Sequence, residues 1–285
     1  MRSRRFPTSR GLLALGAIFF ALLVLLPLTW MFLASLMTTT EVTSVPQVFV
    51  PAHPQWGNYG SFISGHRVGG ESTSDVGSGL RNSIIVSAAV TAVNLILGSM
   101  AAYPLARRRF RGGGVLLIAY LATRMVPTIS IVIPIYALMR YLGLLDTLAG
   151  LILAYIPYTL PFTIWLLTFY FRLIPRELDE AATMDGCGTL QTLALVIIPV
   201  AAPGLVAAGA FAFVTSWSEF ILASILTTSP AAKTIPVVAT NFATDIYIDY
   251  NLLAAAGVVS LLIPVLLAII FQRSIVGGLS AGAVK

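Results

Sequence analysis

Charged side chains are scarce in this sequence. Asp, Glu, Lys and Arg make up 10% of its 285 residues, against about 25% in an ordinary soluble domain. That shortage, set against the apolar content, excludes a soluble enzyme and a solvated disordered chain. Lysine is nearly missing, present only as Lys233 and Lys285. Neither follows the glycines of a G-x-x-x-x-G-K-[ST] loop, so the chain has no such cradle for nucleotide phosphates. Cys187 is the single cysteine, which excludes an internal disulfide and a thiolate metal site. The two histidines, His53 and His66, lie 13 residues apart on one polar stretch. With no third ligand at metal spacing they read as solvated loop residues, and no metal site is expected. No histidine stands near a matching serine motif, so no Ser/His/Asp constellation is expected either.

Apolar length is what the chain has in excess. Hydrophobic residues make up 58% of it and the mean hydropathy is +0.91. A bilayer core of about 30 Å needs about 20 helical residues. Six stretches suffice: Gly11–Leu36, Ile84–Ala106, Val115–Met139, Leu148–Phe171, Val196–Leu226 and Leu252–Phe271. The first follows Arg2, Arg4, Arg5 and Arg10, but it far exceeds the roughly 7–15 apolar residues of a signal peptide and reads as an uncleaved helix. The expected fold is all-α: a polytopic membrane protein of six transmembrane helices. A short segment, 1–10, precedes one membrane domain over 11–285, with loops at 37–83, 172–198 and 227–251 and a tail at 272–285. The Gly- and Ser-rich part of the first loop, 64–78, reads as a flexible insertion.

Seventeen basic residues against eleven acidic ones give a net charge of +6. With the N-terminus inside, twelve of the seventeen fall on the cytoplasmic side: Arg2, Arg4, Arg5, Arg10, Arg107, Arg108, Arg109, Arg111, Arg172, Arg176, Arg273 and Lys285. Arg67, Arg81, Arg140 and Lys233 fall outside, so both termini are expected to be cytoplasmic. The basic excess is thus a topology signal, and no nucleic-acid partner is expected. Arg124 and Glu219 lie within apolar stretches, where each would cost about 2.5–3.5 kcal/mol facing lipid. They are expected to face protein or a water-filled pathway, paired with each other or apart. Trp217 is a further pathway candidate, with plain packing as its other reading. Prolines at 27, 104, 127, 134, 157, 161, 199, 203 and 264 suggest bent helices around a cavity.

The segment from Arg172 to Pro199 reads RLIPRELDEAATMDGCGTLQTLALVIIP. Pro175 suits a first helical turn, and Glu177, Asp179 and Glu180 place negative charge at the positive end of the helix dipole. Ala181 and Ala182 offer a smooth surface and Gly186 a left-handed stop. The result is a short surface helix shaped to dock in a partner's groove, or an ordinary connector between two spans.

Glu180-Ala181-Ala182, then Gly186, then Val196, Ile198 and Pro199 resembles the EAA loop of bacterial ABC-importer permeases, with Val196 and Ile198 in place of Ile and Leu. Met184-Asp185-Gly186 resembles the carbohydrate branch of that family. Further likeness runs through Thr38-Thr39-Thr40-Glu41, Asn58-Tyr59, Asn82-Ser83, Ile133-Pro134-Ile135-Tyr136, Gly143-Leu144-Leu145-Asp146-Thr147, Ser216-Trp217-Ser218-Glu219-Phe220 and the C-terminal segment from Gln272. The chain is most similar to MalG-like permeases of maltose- and trehalose-type importers, departing at Ser218, where many relatives carry Asn.

This resemblance implies a type I ABC-importer transmembrane domain in the bacterial cytoplasmic membrane. It implies a non-catalytic subunit that binds no cofactor itself, ATP and Mg being used by a partner ATPase. The implied partners are a second permease, two copies of the ATPase, an extracytoplasmic sugar-binding protein and membrane lipids. Glu180, Ala181, Ala182, Asp185, Gly186 and Pro199 would then couple to the ATPase. Lys233, Thr234 and Asn241 would touch the binding protein, and the C-terminal tail would lie as an extended strand against the ATPases. The implied cargo is a disaccharide such as trehalose or maltose. Amino sugars, glycerol-3-phosphate and, outside the family, a secondary transporter are the alternatives.

Overall fold

The computed structural model describes residues 9–64, 67–68, 71–72, 75–108, 112–243 and 248–280. Expectations for residues 1–8, His66, Arg109, Arg111, 244–247 and 281–285 lie outside the described residues. Apolar length dictates most of what forms. Four helices are long and apolar enough to cross a bilayer: α1 (Ser9–Ser35), α4 (Asp75–Arg107), α7 (Leu148–Leu173) and α14 (Tyr250–Ser280). Two bent helix pairs bring the number of crossings to six if each pair is one span. Helices α5 (Gly113–Thr123) and α6 (Thr128–Tyr141) meet at 89°. The segment Thr189–Val200 meets α11 (Ala202–Trp217) at 86°. The first of those arms contains α9 (Thr189–Thr192), a π-helical turn at Leu193–Ile197, and α10 (Ile198–Val200).

The two bends correct the expectation of continuous helices over Val115–Met139 and Val196–Leu226. Pro127 is the N-cap of α6, and a proline disfavours helical geometry in the residue before it. Pro203 lies in the first turn of α11, where its missing N–H costs nothing. A further break at Ser218–Phe220 separates α11 from α12 (Ile221–Leu226). Prolines 27, 104, 134, 157, 161 and 264 lie inside helices that continue past them.

The described residues belong to two compact units. One draws on residues 1–74 and 239–259. There α2 (Thr39–Val42) follows α1 through a capping box in which Thr38 and Glu41 satisfy each other's backbone N–H. Glu41 also accepts from Ala52 N at 3.1 Å. The backbone N–H groups of Thr38 and Ala52 hold its carboxyl below the usual carboxylate range. Thr39 Oγ1 donates to Asn251 Oδ1 at 3.0 Å. In α3 (Gly57–Ser64), Asn58 donates to Ser35 O at 2.8 Å. The TTTE and Asn-Tyr segments are therefore internal staples. A short antiparallel strand pair, Arg67–Val68 with Glu71–Ser72, lies in the expected 64–78 insertion.

The second unit draws on residues 75–238 and 260–285, with α4, α7 and α11 packed together. Small residues permit the closeness. A Cβ on Gly204 would stand 2.4 Å from the Tyr170 ring, and one on Gly98 2.9 Å from Thr163 Cγ2. Ala102, Leu167, Phe171, Ile197 and Ala208 form one core, and Val86, Val90, Leu151, Tyr155 and Leu222 another. The expected extended tail is corrected: the last helix continues to Ser280. No proline falls after Pro264, and the helix runs through Gly277 and Gly278.

Candidate functional site

Helix α7 ends because Pro175 pushes Ile174 into extended geometry (φ −76°, ψ 129°). Arg176 then caps α8 (Glu177–Met184), whose first turn carries Glu177, Asp179 and Glu180. Pro175 thus lies before the cap and not in the first turn, as its sequence position suggested. At the other end Gly186 takes φ +83°. Its N–H bonds to Thr183 O at 3.0 Å, and that of Cys187 to Ala182 O at 2.9 Å. These two bonds form a Schellman motif, which satisfies the last carbonyls and needs a left-handed residue where glycine stands.

The two faces of α8 differ in chemistry. Leu178, Asp179 and Ala182 turn inward; Ala182 is 5% exposed. Asp179 receives the Tyr103 hydroxyl at 2.5 Å and forms an ion pair with Arg107 at 2.8 Å, both from α4. Arg107 also donates to Ile174 O at 2.9 Å, so one guanidinium ties the end of α4 to α8 and to the α7 exit. Glu177, Glu180, Ala181 and Met184 are exposed, spaced as one stripe, with Met184 88% exposed. Asp185, Gly186 and Pro199 are exposed too. Of the residues expected to couple, Ala182 packs on its own chain, and Met184, which was not among them, belongs to the outer stripe.

The segment after α12 is built in the opposite way. Asn82, fully buried on α4, donates its amide to the carbonyls of Pro230, Ala231 and Lys233 at 3.0–3.1 Å. Ser83 Oγ accepts from Ile235 N at 2.9 Å, where α13 (Ile235–Ala239) begins. Asp146 takes φ +55° and its carboxylate accepts from Thr228 N and Ser229 N at 2.9 and 3.0 Å. Burial alone would push the Asp146 carboxyl up. The hydrogen bonds from Ser229 and Thr228 outweigh it and hold the group below its usual range. Of the expected binding-protein contacts, Thr234 is buried at 2% exposure. Lys233 and Asn241 are half-exposed.

The charges within the membrane segments do not pair with each other. Glu219 is buried and accepts from Leu222 N and Ala223 N at 2.9 and 3.1 Å, capping α12. Glu219 thus faces protein, one of its two expected surroundings. Arg124, half-exposed at the α5–α6 bend, stacks over Tyr158, Phe162 and Phe211 at 5.1–5.5 Å. Trp217 is 4% exposed, stacks on Phe213 and donates its N–H to Ser260 O at 3.0 Å. It packs, which is one of its two expected readings. Among the described residues no cluster of His, Cys, Asp and Glu could hold a metal.

A family model described as binding-protein-dependent transport system inner membrane component matches residues 94–280. The chain is 40% identical over 263 residues to the trehalose transport system permease protein SugB of Mycobacterium tuberculosis, covering 92% of each chain. It is 34% identical to the trehalose/maltose transport system permease protein MalG of Thermococcus litoralis, covering 97% of each. Among solved structures, it is similar to a bacterial ABC transporter involved in the import of the acidic polysaccharide alginate. That likeness has a TM-score of 0.75 and 25% identity, covering 95% of this chain and 99% of the other.

Proposed function

The chain belongs to the family of inner-membrane components of binding-protein-dependent transport systems, and from that membership we propose that it is the permease subunit of an ATP-driven sugar importer. It would form half of the translocation pathway beside a second permease, with both termini cytoplasmic. A binding protein would deliver the sugar outside, and a separate ATPase pair would use ATP and Mg inside. The observation that carries the reading is α8. Its outer stripe of Glu177, Glu180, Ala181 and Met184 is free of contacts that would bury it, while its inner face is tied through Asp179 and Arg107 to α4 and the end of α7.

A groove that grips the outer stripe would therefore pull on two membrane helices at once. ATP and loaded binding protein would each favour the outward-facing arrangement, and their coupling would shift a two-state equilibrium. The names of two relatives support a disaccharide of the trehalose or maltose type as cargo. Arg124 remains the candidate for the pathway, since a half-exposed cation held by aromatic rings sits where the helix is broken. The experiment is uptake of labelled trehalose into proteoliposomes holding this chain, its genomic partner permease and the ATPase. Uptake that needs ATP and binding protein, and that maltose competes away, supports the reading. Uptake driven by a proton gradient with this chain alone would overturn it, and preference for an amino sugar or glycerol-3-phosphate would replace the cargo.

A further inference from the structure

Three apolar helices have their ends at one arginine-lined pocket. It is a cavity of about 360 Å³ between the end of α4, the start of α5 and the end of α7. Among the described residues, Arg107, Arg108, Arg172 and Arg176 line it together with Gly113 and Gly114, and no carboxylate does. Arg107 is paired with Asp179, yet its buried Nε has no hydrogen-bond partner among the described residues. Arg172 makes one long bond, 3.3 Å, to Leu105 O. The guanidinium groups of Arg108 and Arg176 form no hydrogen bond or ion pair among the described residues, and both residues are exposed. Helix α5, whose N-cap Gly112 supplies no side-chain cap, places its first turn at the same wall. Four converging guanidiniums with at most one neutralised repel one another, and an anion would relieve that repulsion.

Position selects among anions. The pocket lies where the apolar segments Val76–Arg107 and Leu148–Leu173 end and the one from Gly113 begins. Next to it on α5, Val115 and Ile118 are 72% and 69% exposed, an apolar wall continuing the polar pocket. Guanidinium forks match phosphate oxygens, and basic pockets between membrane helices suit acidic headgroups. We propose that this pocket binds the phosphodiester headgroup of an anionic phospholipid, with Arg108, Arg172 and Arg176 as its ligands and an acyl chain along Val115 and Ile118. The proposal rests on the permease reading only in taking the arginine-rich helix ends to lie at the headgroup layer.

The test places the full chain in phosphatidylcholine nanodiscs with a minor fraction of phosphatidylglycerol and counts retained lipids by native mass spectrometry. Preferential retention of phosphatidylglycerol is expected. Each arginine removed should weaken it about fivefold, so R108Q/R172Q/R176Q should lose it by roughly a hundredfold. R81Q/R140Q/R273Q, which removes the same charge elsewhere, should keep it. Should the triple variant not fold, R176Q alone, at an exposed residue, is read for its single step. Equal retention by the pocket variants and the wild type would overturn the proposal, as would equal loss in the control. A parallel arm in pure phosphatidylcholine with inorganic phosphate assigns the site to a free anion if phosphate alone is bound, which also overturns it. Lipid retention does not depend on the ATPase: its loss with ATPase association intact defeats only this proposal, and the converse result only the permease reading.

Discussion

Between α7 and α9 the chain turns charged side chains outward; between α12 and α13 it turns its polar groups inward. The first segment is tied to α4 through Asp179, which pairs with Arg107 and accepts from Tyr103, and it leaves Glu177, Glu180 and Met184 exposed. The second is fastened by Asn82, Ser83 and Asp146 through backbone bonds at six positions from Thr228 to Ile235. A loop that binds its own scaffold with most of its backbone has few groups left for a partner. The difference teaches that polar composition does not mark a docking surface. What marks it is polar groups without an internal claim.

The sharpest way to break this contrast is Asn82→Leu. It leaves carbonyls of Pro230, Ala231 and Lys233 without their donor, and the fold should lose about 3 kcal/mol. A fall in melting temperature, read in detergent, checks it; an unchanged melt would show that the loop is not held as described. Next is Ala182→Trp, which overpacks the inner face of α8 and should cost about 2 kcal/mol. The same substitution at Ala181 should leave the melt unchanged. Equal effects at the two positions would erase the distinction between faces.

The smallest effect belongs to Asp146→Asn, about 1 kcal/mol at neutral pH. Because the folded Asp146 titrates below its usual range, its contribution is present above the unfolded value near about 3.9 and lost as pH falls through the folded one. The stability gap between wild type and D146N should therefore hold from neutral pH to about 5 and close below about 4. Asp249 has the opposite sign: burial pushes its carboxyl up, so its contribution is largest at low pH and declines as pH rises through the folded value. A D146N gap that widens on acidification would contradict the assignment.

How much was legible beforehand follows from the physics of each feature. Six crossings could be read because apolar length is a property of the sequence alone. The two bends could not be separated from the straight helices by proline content, since Pro104 and Pro264 continue their helices while Pro127 and Pro203 start new ones. A proline breaks a span only where the neighbouring backbone has other partners, and those come from the fold. The acidic first turn and the Gly186 stop of α8 were legible because they are local. Its facing was not: Ala181 and Ala182 are chemically alike, and only packing against α4 and α7 tells them apart. Asp179 and Arg107 were counted as a dipole charge and a topology charge, yet they form the tie between helices. Asn82-Ser83 and Asp146 stood out in the sequence as landmarks without a role, and their partners lie more than 80 residues away. Glu219 and Trp217 were placed in a pathway because polar or aromatic groups in apolar stretches invite it. Their buried hydrogen bonds to Leu222, Ala223 and Ser260 satisfy them within the chain.

The central claim is that the outer stripe of α8 transmits ATPase closure to the membrane helices. It is tested most directly by Ala181→Trp in proteoliposomes with the partner permease, ATPase and binding protein, measuring ATP hydrolysis and sugar uptake together. The account predicts an assembled, normally melting permease whose uptake falls at least about tenfold, the scale of a lost 1.4 kcal/mol of coupling. Uptake at the wild-type rate, with that bulky ring on the exposed face, would contradict it.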